Sequence, residues 1–295
     1  MATPSGTIFD TGVTQYFIPE MWADSIYKYF EEKLVFKNLV DDYSSMVKGQ
    51  GDTIHFPEIA KMTAASLTDG AQVSYVAPAE TETQLTVNQH YYAAKLFTDV
   101  LTVQSSVDLF SKYARAMGYS LAKQLDSSIA GQLITVNQGA TLTTDDQITA
   151  NELEAAIANL GENDVDYTGG DVYMVVNPTV YADMLNPGGT FGASFVRADI
   201  AGFNADNSPI HSGQVGTTMG MPVFMSNSLD TGGTSVSAVI FHRSACAVAV
   251  QQDLRVQDQY DIDVLGTKVV ADLLWGVKIL DDSDNKRGYK FTNAS

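Results

Sequence analysis

Apolar residues recur at three- and four-residue steps from Phe110 through Tyr113, Ala114, Met117, Leu121, Leu125 and Ile129 to Leu133. That spacing lines one stripe of a helix. The pattern predicts a helix from Ser105 to Val136, roughly 45 Å long at about 1.5 Å per residue and longer than most globular helices. Ser105 and Asp108 carry a capping spacing at its start, and Asn137, Gln138 and Gly139 break the pattern at its end. A helix of this length implies that something lies along it.

Elsewhere the pattern changes character. Residues Met1 to Ile18 have no sustained period and read as an extended arm. Pro19 then opens a helix with Trp22, Ile26, Tyr29, Phe30 and Leu34 at helical spacing, ending before Asp41. From Gly49 to Ala94 no helical period survives, and Leu85, Val87 and Gln89 alternate against Thr86, Asn88 and His90. A two-stranded ribbon cannot bury a core alone, so it should lean on the long helix or on another subunit. Thr149 and Glu152 form a second capping spacing, ahead of a short helix bearing Leu153, Ala156, Ile157 and Leu160.

The remaining stretches alternate strand and helix. DVYMVV reads as a buried strand, and NPTVYADML as a turn into a helix started by Pro178. Residues Asn186 to Ser212 are a glycine- and proline-punctuated loop, and GQVGTTMGMPVFMSNSL a turn and a strand. VSAVIFHRSACAVAVQQDLRVQDQY suits central strands, and DIDVLGTKVVADLLWGVKIL adds a strand or strand pair. The ending DDSDNKRGYKFTNAS reads as a polar surface tail. There is no internal repeat.

Composition narrows the class. With 295 residues, 45% hydrophobic and 10% aromatic, the chain is globular, with room for two domains or one elaborated one. Its net charge of -18 works against nonspecific adhesion to phosphate backbones. No Lys, Arg or His stands between Lys123 and Arg197, so that block is acidic throughout. The single cysteine, Cys246, lies in the apolar run SACAVAV and reads as a buried thiol suited to a reducing compartment. Neither a basic-then-apolar leader nor an apolar run of membrane length is present, so the expectation is a protein that is neither secreted nor membrane-embedded.

Catalytic constellations are missing from the pattern. His55, His90, His211 and His242 are scattered, with no HExxH pair, phosphate loop or nucleophile elbow. SxxK occurs at Ser25, Ser45 and Ser120 without a KTG element, which marks chance. Asp281, Asp282 and Asp284 superficially suggest a calcium loop, but Lys286 stands where the turn needs Gly. Tyr91, Tyr92 and Phe97 have Lys95 as their only basic companion and read as packing residues rather than a base-stacking platform. Lys61, the ribbon's lysine, reads as a solvated side chain rather than a cross-linking one. No catalytic, cofactor-binding or metal site is expected.

The order of elements, together with IPEMWADSIYKYFEEKLVFKNLVDDYSS, GDTIHFPEI, VDLFSKYARAMGYSLAKQLDSSIAGQL, VYMVVNPTVYADML, GQVGTTMGMPVFMSNSL and AVIFHRSACAVAVQQ, resembles tailed-bacteriophage major capsid proteins of the Hong Kong 97 type. The resemblance implies an α+β fold with an N-terminal arm and helix at 1–47 and an extended loop at 48–97. It implies a peripheral domain at 98–139 and 235–295 built on the spine helix, and an axial domain at 140–234. Phe110, Met117, Leu121, Leu125 and Ile129 would pack the spine, while Phe56, Val73, Tyr75, Leu85 and Val87 of the ribbon would meet a neighbouring subunit.

The same resemblance implies a structural protein forming pentamers and hexamers in an icosahedral head, assembled in a bacterial cytoplasm and enclosing double-stranded DNA without sequence-specific binding. Portal, decoration and separate scaffolding proteins are its implied partners, the last because the family's cleaved N-terminal extension is not in this sequence. The alternatives are an encapsulin-like nanocompartment shell and, more distantly, an oligomeric enzyme or tail-associated binding protein.

Overall fold

In the computed structural model a helix over Leu109–Leu133 follows the stripe read from the sequence. The structure describes residues 34–49, 51–59, 62, 64–67, 69–70, 72–73, 75, 80–100, 109–142, 148–166, 169–184, 195–197, 214–229, 236–280 and 286–293. The arm and helix expected before residue 34, the Ser105–Asp108 cap, Lys61, His211, the segment 281–285 and most of the loop 186–212 lie outside the described residues.

In chain order the elements are α1 Phe36–Leu39, β1 Asp41–Asp42, α2 Ser44–Val47, β2 Thr53–Ile59, β3 Glu80–Thr86, β4 Gln89–Thr98, α3 Leu109–Leu133 and β5 Gly139–Thr141. They continue with α4 Ala150–Glu162, β6 Val172–Val176, α5 Pro178–Met184, β7 Phe195–Arg197, β8 Gln214–Thr218 and β9 Met221–Met225. The last are β10 Val236–His242, β11 Cys246–Asp261, β12 Gly266–Ile279 and β13 Gly288–Thr292. The chain divides into two units, one of residues 1–31, 90–122 and 253–273, the other of residues 32–89, 123–252 and 274–295.

The larger unit is organised on a seven-stranded sheet in the order β5-β13-β10-β6-β9-β8-β7. Strand β10 sits inside it because Val236, Ala238, Val239, Ile240 and Phe241 are all buried, and a run apolar on both faces needs a strand on each side. It pairs antiparallel with β13, Ile240 opposite Tyr289, and antiparallel with β6, Ile240 opposite Met174. Helices α4 and α5 supply Leu153, Ala156, Leu160, Val180 and Met184 to a core shared with Met174, Val176, Ile240 and Phe291. Each such leucine stabilises the fold by about 1.5–3 kcal/mol through burial. The expected capping box starts α4: Glu152 N–H donates to Thr149 Oγ1 at 3.3 Å, and Thr149 N–H donates to Glu152 Oε2 at 2.8 Å, together about 1 kcal/mol.

Four expectations are corrected here. The ending is not a surface tail, because residues 288–292 form β13, where Tyr289 and Phe291 are buried on alternate positions. The stretch 214–225 is a hairpin of two strands rather than a turn and a strand, since Met219 (φ 45) and Gly220 (φ 85) are both left-handed, the turn that matches strand twist. Strands β10 and β13, placed by the sequence in the domain of the long helix, hydrogen-bond instead in one sheet with β6 from the 140–234 block. Leu34 and Val35 are not helical, and α1 is a separate short helix after them.

The smaller unit holds β4, the first half of α3 and the tip of the hairpin made by β11 and β12. Those strands belong to a four-stranded sheet in the order β1-β11-β12-β4. Phe97 of β4 is buried and meets Tyr113 of α3 edge-on at 5.6 Å. Gly118 of α3 faces Leu254 of the hairpin, where an added Cβ would sit in ordinary contact at 3.5 Å.

Candidate assembly surfaces

The spine helix buries one face. Met117, Leu121, Leu125, Ile129 and Leu133 are 7%, 3%, 4%, 0% and 0% exposed, while the side chain of Phe110 lies outside the described residues. Asp126, 2% exposed, stands beside this stripe and accepts the N–H of Phe36 at 2.8 Å and of Lys37 at 3.4 Å. Val35 has no side-chain oxygen to cap α1, so the spine supplies the missing acceptor. Lys290 closes the C-terminal end of α3, donating from Nζ to the Ile134 carbonyl at 3.2 Å, where a cation suits the helix dipole.

The ribbon divides its apolar residues between two fates. Strands β2 and β3 pair antiparallel with His55 opposite Gln84, and the alternation read at Leu85 and Val87 is that of the backbone. Leu85 and Val87 are buried with Val47, Ala247 and Ala249 of the same chain, and Phe56 packs edge-on against Tyr43 at 5.0 Å. The expectation that Leu85 and Val87 are offered to a neighbour is therefore corrected: the base of the ribbon leans on its own subunit. Gly276 makes that docking possible, for a Cβ there would lie 2.9 Å from Val87 Cα. Val73 and Tyr75 are 54% and 93% exposed, and Met62 and Leu67 beside them are exposed too.

A further apolar surface, at the tip of the β11–β12 hairpin, was not singled out in the sequence. Leu254, Val256, Tyr260, Ile262 and Leu265 are exposed there. The signal was present in DLRVQDQYDIDVLG, where Leu254, Val256 and Tyr260 fall on even positions between polar ones. The opposite face is tied by charge. Arg255 Nε and Nη2 reach the two carboxylate oxygens of Asp272 at 3.0 and 2.8 Å, and His90 Nε2 lies 3.2 Å from the same carboxylate. The hydrogen bond to Asp272 raises Arg255 above its ordinary value. Lys268 pairs with Asp261, holding that carboxyl below its ordinary range; on the apolar face, Tyr260 donates its hydroxyl to Asp99 at 2.7 Å, which pushes the phenol up.

These groups satisfy one another and frame no reacting centre. His55 pairs with Glu82, and that hydrogen bond, with a second from Gln84, lowers the Glu82 carboxyl. His242 Nδ1 accepts the N–H of Ser244 at 3.2 Å. Cys246 is fully buried and its thiol is pushed up to about 12 by desolvation. Among the described residues no group of three or more His, Cys, Asp and Glu is placed to hold a metal ion. Tyr91 and Tyr92, read as packing residues, are 41% and 71% exposed, while Phe97 is buried.

A long helix with one buried face, a ribbon and a hairpin that carry exposed apolar residues among those described, and a strand-rich α+β body are the parts of a shell subunit of the Hong Kong 97 type. The phage capsid protein family matches residues 80–289, and the chain belongs to that family. It is similar to the major capsid protein of Staphylococcus phage phiMR11, 22% identical over 286 residues that cover 97% of this chain and 96% of the relative. A solved structure from Mycobacterium phage Che8 superposes with a TM-score of 0.71 at 25% identity, covering 93% of this chain and 97% of that one. The capsid structure of the Cyanophage P-SCSP1u gives 0.71 at 17% identity, covering 97% and 96%. The chain is a structural major capsid protein of a phage, and the phiMR11 relative and the cyanophage structure are phage capsids rather than encapsulins.

Proposed function

We propose that this chain is the repeating unit of a closed icosahedral head, arranged in pentamers and hexamers, that encloses double-stranded DNA and assembles in the cytoplasm of a host bacterium. The likeness to solved capsid subunits across more than nine-tenths of the chain carries this reading. Scaffolding, portal and decoration proteins are its proposed partners, and no catalysis is ascribed to it. Residues 1–47 are proposed as the arm, 48–97 as the loop overlying a neighbour through Val73 and Tyr75, and 98–139 with β11 and β12 as the peripheral domain. The 140–234 block is proposed to meet its copies around the symmetry axes, with β10 and β13 carried along in its sheet.

Apolar surface held outside any core is covered only when copies meet, so assembly should order and stabilise these parts together. The test is sedimentation of the purified chain, with and without its scaffolding partner. Particles of megadalton mass are expected, and a monomer that persists at high concentration contradicts the proposal.

A further inference from the structure

We propose that the exposed face of α3 is a contact surface for the phosphate backbone of nucleic acid, through Lys112 and Arg115, with Lys95 at the same turn of the helix. This rests on reading the chain as the shell of a DNA-filled head. The chain as a whole has net charge -18, yet the charged side chains on the exposed surface of α3 are all cations. Lys112, Arg115 and Lys123 are exposed, whereas Asp126, the one carboxylate among the described residues of the helix, is 2% exposed and occupied by the N–H of Phe36.

The placement is ordered. Lys112 and Arg115 stand three residues apart, roughly 4.5 Å along the axis, on one stripe of the helix. Ala116 and Ser120, also exposed, continue that stripe with short side chains that let a rod-like polyanion come close. Lys95 of β4 is brought to the same turn of the helix, its Nζ 4.9 Å over the ring of Tyr113, an attraction between cation and π face.

The chemistry of the stripe selects the kind of partner. A protein partner needs buried aromatic or aliphatic anchors at the centre of its interface, and no large hydrophobic side chain of the described part of α3 is exposed. A phosphate backbone needs only cations, reads no sequence and binds in a salt-dependent way. Few cations per copy, repeated over a shell, give contacts that are weak singly and add up by multivalency. The acidic remainder of the surface keeps a packed polymer from adhering elsewhere.

The experiment is fluorescence anisotropy of a labelled duplex of about 30 base pairs, titrated with dissociated full-length subunits between about 20 and about 200 mM salt. The wild type should bind with a salt-dependent affinity. K112Q/R115Q should weaken binding at least about tenfold at low salt and reduce the log–log salt slope by about two. K112R/R115K should restore it, and the same charge loss at exposed Lys37 and Lys48 (K37Q/K48Q) should leave it unchanged. Both sites are exposed, so circular dichroism should not differ among the variants. Absence of salt-dependent binding by the wild type, equal affinity of K112Q/R115Q, an equal loss in K37Q/K48Q, or tighter binding of polyglutamate than of duplex at matched charge would each overturn the proposal. The assay needs no assembled particle, so a failure of the shell reading shows separately, as wild-type protein that forms no particles.

Discussion

The carboxylate of Asp126 accepts the backbone N–H of Phe36 at 2.8 Å, so the spine helix caps a helix 90 residues earlier in the chain. Removing the acceptor leaves a buried N–H unpaired, and Asp126→Ala should cost about 1–3 kcal/mol. Asp126→Asn keeps an oxygen in place and should cost less. Urea denaturation of both variants decides it, and a loss in the alanine variant below about 0.5 kcal/mol, the range of ordinary surface substitutions, would remove the capping role.

Leu125 and Ile129 stand on the buried stripe of α3, 4% and 0% exposed. Leu125→Ala should destabilise the subunit by about 2–5 kcal/mol through lost transfer energy and a cavity. Leu125→Asp should leave little soluble folded protein or shell, because an unpaired charge would be buried. Particles of unchanged yield and melting temperature from the aspartate variant would show that the stripe is not the core.

Gly276 passes beneath the base of the ribbon, where an added Cβ would lie 2.9 Å from Val87 Cα and against the Thr86 carbonyl. Backbone on both sides cannot give way easily, so Gly276→Ala should cost about 1–3 kcal/mol. The change should also speed amide hydrogen exchange in β3 relative to β10, which proteolysis and mass spectrometry can map. Exchange in β3 equal to that of the wild type would contradict the close approach.

Cys246 should resist thiol reagents in the folded protein and react at once on unfolding, because burial pushes its thiol up to about 12 and the thiolate is the reactive form. The linkage has a definite sign. The folded value lies above that of an unfolded cysteine, near 8.5, so this contribution to stability is intact below about pH 8.5 and lost as pH rises toward 12. The slope from this one group is at most about 1.4 kcal/mol per pH unit. Denaturation curves of the wild type and Cys246→Ala above neutrality should diverge with that sign.

The parts of this fold that were legible in the sequence are those written in local spacing. The stripe from Met117 to Leu133 is a helical period, Thr149 with Glu152 is a capping box, and Pro178 starts α5 at its first position. What escaped depends on partners distant in sequence. GYKFT follows a polar run and looks like a tail until β10 and β5 take up its two edges. Asp126 reads as an ordinary helical carboxylate until Phe36 arrives.

The candidate surfaces divide in the same way. Val73 and Tyr75 are exposed, as an unpaired apolar segment of a ribbon would be, but Leu85 and Val87 find Ala247 and Ala249, a contact across about half the chain that no local period announces. The hairpin tip at Ile262 and Leu265 lies among aspartates, at Asp258, Asp261 and Asp263, which hid its apolar character.

Electron cryo-microscopy of assembled particles tests the central claim most directly. The account predicts a closed shell whose reconstruction resolves clusters of five and six copies of this chain, with residues 62–75 of one copy lying on another. Particles with no such clusters, or a chain that forms only small oligomers under every assembly condition, would contradict it.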